Sequence, residues 1–120
     1  MNQKKNLTES FPMDITAALK ALDNDEIFLK ELLDVFKTDF KSHLKILNQV
    51  IKDKNFDDIY GLGHKLKGSA AALYLNQLRE FAFEMEQAGK EKNIEKAKKN
   101  LALMSQEFDA LLAFLSQNKL

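Results

Sequence analysis

Residues 94–115, IEKAKKNLALMSQEFDALLAFL, place Ile94, Ala97, Leu101, Met104, Phe108, Leu111 and Leu115 at steps of 3, 4, 3, 4, 3 and 4. Apolar residues spaced this way form a seam along one side of a helix. That seam suits helices crossing at about 20° in a bundle. The same period recurs upstream. Leu29, Leu33, Phe36, Phe40, Leu44, Leu47 and Ile51 step 4, 3, 4, 4, 3 and 4. A third stripe runs through Ile59, Leu62, Leu66, Ala70 and Leu73, and a fourth through Leu78, Phe81, Ala82 and Met85. No segment alternates with the two-residue period of a strand for long.

The polar residues between these stripes punctuate them. Asp14 is placed to cap a short helix carrying Ile15, Ala18, Leu19 and Leu22. Asp23 and Glu26 read as a capping box for a long helix reaching about Lys54. Asn55, Asn76 and Asn93 stand where the next three helices should begin, and Gly89 where the fourth stripe should end in a left-handed turn. Short connections make neighbouring helices antiparallel. The expected fold is all-α: an antiparallel four-helix bundle preceded by a short N-terminal helix. Residues 1–9 read as a polar flexible lead-in, and 10–120 as the bundle domain.

Composition narrows the function. Eighteen basic residues balance eighteen acidic ones, so nothing points to nucleic acid or an acidic membrane surface. The absence of cysteine removes disulfides, thiol nucleophiles and zinc–thiolate sites. The start, MNQKKNLTES, lacks the apolar run of a secretory signal, and no apolar run approaches the ~18 residues of a membrane helix. We expect a monomeric cytoplasmic protein. Met1 and the compact length suggest one that stands alone.

The stretch YGLGHKLKGSAAALY, residues 60–74, holds three of the four glycines inside a helical pattern. Each costs about 1 kcal/mol against alanine in a helix. At about 100° per residue, His64 falls about 140–150° from the centre of the apolar face. Gly61 and Gly68 lie at i−3 and i+4 from it, so the imidazole should project from a notch with almost no side chain above or below. Gly63 lies nearer the core edge, where it should admit a neighbouring helix. Lys67, at i+3, shares the histidine's side, whereas Lys65 lies about 100° away. Ala71 and Tyr60 flank the imidazole. His43, by contrast, borders the long helix's apolar stripe without glycine neighbours and reads as a half-buried structural residue.

HKLKGSAAAL, residues 64–73, resembles the H-x-L-K-G-S-x-x-x-L signature of histidine-containing phosphotransfer (HPt) domains. LREFAFEMEQAG, residues 78–89, is similar to the L-x-x-x-A-x-x-x-E-x-x-G segment that follows it. DNDEIFLKELLDVF, residues 23–36, looks like the acidic start of the family's long helix. The resemblance spans roughly residues 14–116. It implies a phosphorelay intermediate that takes a phosphoryl group from a receiver domain's aspartyl phosphate and passes it to another receiver. His64 would be the acceptor and Lys67 would neutralise the phosphoryl oxygens. Gly68 would keep the approach clear. Glu86 would hold the other imidazole nitrogen, leaving Nε2 to react. By their positions on the helices rather than by the resemblance, Gly61, Lys65, Ala71 and the off-stripe Phe83 read as an adjoining binding surface.

The implied partners are receiver domains and a hybrid sensor histidine kinase. No intrinsic cofactor or metal is expected, and Mg²⁺ should come with the receiver. ATP-dependent kinase activity is not expected, since neither G-x-x-x-x-G-K-[ST] nor G-x-G-x-x-G occurs. The alternative is a non-transferring bundle that docks and inhibits a receiver or sensor kinase. The sequence departs from the family's pattern where Ala72 replaces a frequent Asn and Tyr74 a frequent Gly. A tyrosine enters a left-handed cap less readily than glycine.

Overall fold

The computed structural model describes residues 11–120. The expected lead-in, residues 1–9, lies outside the described residues. Five helices follow one another: α1 (Ile15–Ala21), α2 (Glu26–Lys52), α3 (Phe56–Ala72), α4 (Asn76–Glu91) and α5 (Ile94–Gln117). Among the described residues there is no strand. Helix α2 packs on α3, α3 on α4, α4 on α5, and α5 returns to α2, closing a four-helix ring with α1 against α2. This is the expected bundle with its short leading helix. Among the described residues no helix is long and apolar enough to cross a membrane.

The seams meet at the centre of the ring. Leu33, Leu47, Ile59, Leu66, Met104 and Leu111 are fully or almost fully buried. Phe36 stacks on Phe40 with ring centroids 5.2 Å apart, and Phe40 meets Phe108 of α5 at 4.9 Å. Such spacing adds to the burial of the rings themselves. His43 is half-buried, and its Nδ1 is sealed from solvent without a hydrogen-bond partner. It lines a cavity of about 250 Å³ between α2 and α3 and belongs to the scaffold, as its sequence position suggests.

Three of the expected N-caps form. Asp14 accepts from the Ala17 amide at 3.1 Å, Asn55 from Asp58 at 3.2 Å and Asn93 from Lys96 at 3.0 Å. Two differ. The cap of α2 is Asp25, which accepts from the Phe28 amide at 3.0 Å. Asp23 lies outside the helix, because Asp23 and Asn24 both take left-handed φ values to turn the chain out of α1. Helix α4 already includes Asn76, so its cap position falls to Leu75, which supplies no side-chain acceptor.

The helix ends also correct the expectation for Gly89. All five helices close on a left-handed residue spanned by a backbone hydrogen bond from the following amide. None of those residues is glycine: they are Asp23, Lys54, Tyr74, Lys92 and Lys119. Gly89 sits inside α4, two residues before its end. A Cβ there would strike the backbone of Tyr60, so Gly89 brings α4 onto α3 and Lys92 makes the turn instead. Tyr74 does accept the left-handed cap, at φ 58°, while its half-buried ring packs on the core. Its carbonyl accepts from the Asp14 amide at 3.0 Å, tying the entry to α1 to the α3–α4 turn.

Two stability predictions follow from these assignments. Lys54→Gly and Lys92→Gly should each raise the unfolding free energy by about 1 kcal/mol, measured by urea titration, by relieving left-handed strain. A fall in both variants would show that the strain is absent. Glu107 is half-buried with Oε2 unpartnered, and burial pushes its carboxyl up. A carboxyl with a raised folded pKa costs stability once the pH passes its unfolded value. Glu107→Gln should therefore unfold at higher urea than the parent at pH 7, and the gap should close as the pH falls toward about 4.

Candidate functional site

The site is built where α3 and α4 touch. Gly63, one residue before His64, is buried, and a Cβ on it would fall on the backbone nitrogen of Glu86. The missing side chain lets the α4 backbone at Glu86 lie directly against α3. That approach brings the Glu86 carboxylate beneath the imidazole. Glu86 Oε1 is 3.0 Å from His64 Nδ1 and 2.9 Å from Lys67 Nζ, so one oxygen serves both nitrogens. The exposures are graded: the side chains of Glu86, Lys67 and His64 are 9%, 31% and 65% exposed. The carboxylate is the buried base of the cluster and the imidazole its outer edge.

The electrostatics fix the protons. The hydrogen bond from Lys67 lowers the Glu86 carboxyl below its ordinary value, with a further lowering from His64, and together they outweigh burial, which raises it. An ionised carboxylate only accepts hydrogen bonds, so Nδ1 must carry the proton that it donates. Nε2 of the neutral ring then holds a free lone pair and faces away from the carboxylate. The carboxylate on one ring nitrogen thereby sets the state of the other.

The helix surface is bare at Gly61 and Gly68. A Cβ at Gly61 or Gly68 would meet no neighbouring atom within 4 Å. No packing demand therefore accounts for these two glycines, in contrast to Gly63 and Gly89. Phe83 is 38% exposed on α4, and the Lys67 ammonium lies 5.6 Å from its ring centroid. This cation–π contact and the Glu86 pair together hold Lys67 across the α3–α4 seam.

The structure thus brings His64, Lys67, Glu86 and Phe83 together at the α3–α4 seam, while Gly68 is exposed on α3 and Gly61 lines a groove with Ile46 and Val50 of α2. Lys65 is exposed but turns to the rim of the α2–α3 cavity beside Asp39, away from the carboxylate. Ala71 is exposed on α3. Tyr60, which flanks the imidazole by sequence, also belongs to this site. Its ring lies nearly parallel to the imidazole, at 8° with centroids 6.3 Å apart. The i−4 spacing to His64 was the available signal.

The family's sequence model, described as Hpt domain, matches residues 31–114. This chain belongs to the Hpt domain family. The matched segment of the Hpt domain runs from the first third of α2 to near the end of α5 and contains the whole cluster. The phosphorelay intermediate protein YPD1 of Candida albicans is 36% identical over 56 residues, which cover 47% of this chain and 30% of that protein. The match therefore spans less than a third of the relative's length. No solved structure matches the Hpt domain described above.

The Glu86 carboxyl should respond to its neighbours in a set order. Its lowered value means that the carboxylate stabilises the fold above the ordinary carboxylate range, and that this stabilisation is lost as the pH falls through the folded value. Lys67→Ala removes the largest cause and leaves burial opposed by His64 alone. The Glu86 resonance, followed by carboxyl ¹³C NMR, should then titrate at higher pH than in the parent. An unchanged titration would show that Lys67 does not hold Glu86 in solution.

Proposed function

We propose that this protein is a phosphorelay carrier whose His64 Nε2 accepts a phosphoryl group from the aspartyl phosphate of one receiver domain and delivers it to another. The observation that carries the reading is the His64–Glu86 pair: an exposed imidazole whose Nδ1 proton is held by a buried, ionised carboxylate. Nε2 attacks phosphorus in line with the acyl phosphate's bridging oxygen. The P–O bond breaks, its electrons remain with the aspartate carboxylate, and a P–N bond forms. The Nδ1 proton stays in place, so the ring takes up positive charge beside Glu86. The return step reverses each movement.

Lys67 supports the transfer by exchanging partners. At rest its ammonium is bound to Glu86. Once the imidazole becomes cationic, Glu86 has a second positive neighbour, and Lys67 can turn to the phosphoryl oxygens, where a charge-assisted hydrogen bond is strong. Gly61 and Gly68 let the receiver's aspartate reach bonding distance, and Phe83 and Ala71 offer apolar surface beside it. Lys65 lends positive charge at the edge of the interface. The receiver brings the Mg²⁺ that the aspartyl phosphate needs. The carrier acts stoichiometrically, as a monomer in the cytoplasm, and its donors include a hybrid sensor histidine kinase.

Incubation with a phosphorylated receiver and Mg²⁺ should leave an acid-labile, base-stable phosphate on the chain. His64→Gln should abolish it and His43→Gln should retain it. The reverse pattern would refute the assignment, and receiver binding without label transfer would favour the docking-module alternative. Lys67→Ala should transfer about 10-fold or more slowly. Gly68→Ala separates the two roles of that glycine. It should raise stability by about 0.5–1 kcal/mol, because its Cβ meets open space, yet slow transfer from the receiver. Equal transfer rates in Gly68→Ala and the parent would remove the argument for a bare approach.

A further inference from the structure

Tyr60 is an exposed aromatic residue whose position is tightly determined. Its backbone lies against Gly89, where any Cβ would collide with the Tyr60 nitrogen, so α4 fixes where the Tyr60 side chain leaves α3. The residue is 42% exposed, so filling the core does not explain its ring. The ring instead runs alongside the imidazole one helical turn away, tilted by only 8° with centroids 6.3 Å apart. That separation falls within the range of offset-stacked pairs. His64 is thus restrained twice: at Nδ1 by Glu86 and along one face by Tyr60. The opposite end, toward Gly68, remains open.

We propose that Tyr60 is a positioning residue for phosphoryl transfer, holding the imidazole in its reactive orientation and stabilising the positive charge the ring acquires. The inference rests on the phosphoryl-carrier reading above. When the P–N bond forms and the aspartate leaves with the P–O electrons, Nδ1 keeps its proton and the imidazole becomes cationic. An aromatic face attracts a cation, and at an exposed site the attraction corresponds to about two- to fivefold in an equilibrium constant. The benefit falls on the phosphorylated form, because the neutral ring carries no such charge. Tyr60 therefore favours loading of the carrier as well as orientation of the nucleophile.

Three variants separate orientation from charge: Tyr60→Ala, Tyr60→Leu and Tyr60→Phe, each checked for folding by circular dichroism. In the unphosphorylated chain, three-bond NMR couplings report the His64 side-chain rotamer. Tyr60→Ala should show rotamer averaging, whereas Tyr60→Leu and Tyr60→Phe should retain one rotamer through bulk. In the second arm, phosphoryl exchange with a receiver gives the loading equilibrium. It should fall about two- to fivefold in Tyr60→Ala and Tyr60→Leu and recover in Tyr60→Phe. Parent-like rotamers and loading in Tyr60→Ala would overturn the proposal. Parent-like loading in Tyr60→Leu would overturn the charge role. A parent chain that takes no label on His64 would refute the carrier reading, and the rotamer arm would still decide whether Tyr60 orients the ring.

Discussion

A single carboxylate oxygen organises the functional face. Glu86 Oε1 accepts from His64 Nδ1 at 3.0 Å and from Lys67 Nζ at 2.9 Å. Each interaction is meaningful because of the other. Without Lys67, burial would act against the ionised carboxylate, opposed only by the imidazole. Without an ionised carboxylate, the imidazole tautomer would be undetermined. The arrangement draws on helix geometry as well as charge. His64 and Lys67 share a face of α3 through their i, i+3 spacing, and the facing helix supplies the acceptor.

That shared oxygen is reachable only because α3 and α4 approach to backbone contact. Gly63 and Gly89 make the contact possible at two points about one helical turn apart, one against Glu86 and the other against Tyr60. A bundle spaced by ordinary side chains would hold its axes about 8–10 Å apart, and a glutamate would then extend toward solvent between them. Here the carboxylate is pressed against α3 and becomes a buried group with fixed partners. Packing of the scaffold and placement of the carboxylate beneath the imidazole are therefore the same structural fact viewed from two sides.

Much of this was legible in the sequence. The 3-4 stepping of the apolar residues gave the helices and their buried faces, and most of the named stripe residues are buried. The placement of His64 away from its own stripe gave its exposure. Less legible were features that depend on how two helices meet. The role of Gly89 was misread because a glycine near a helix end usually signals a left-handed turn. Only the facing Tyr60 backbone shows why it must lie inside the helix. Asn76 and Asp23 were misread for a related reason: a good capping residue does not cap when the preceding turn carries the helix start past it or leaves it outside. The pairing of Lys67 with Glu86 was also invisible, since sequence spacing gives the side of a helix but not the reach of a lysine across to its neighbour.

The allocation of glycine carries the functional argument furthest. All five helix ends use left-handed residues, the conformation where glycine is cheapest, and none of these residues is glycine. All four glycines lie instead within α3 and α4, where glycine is costly. Packing explains two of them, because a side chain would strike the opposite backbone. It does not explain Gly61 and Gly68, whose surroundings are empty and which flank His64 at i−3 and i+4. A chain under pressure for stability alone would exchange these residues with those in its turns. Bare backbone at these two positions beside one exposed imidazole is therefore a feature that neither packing nor helix stability explains.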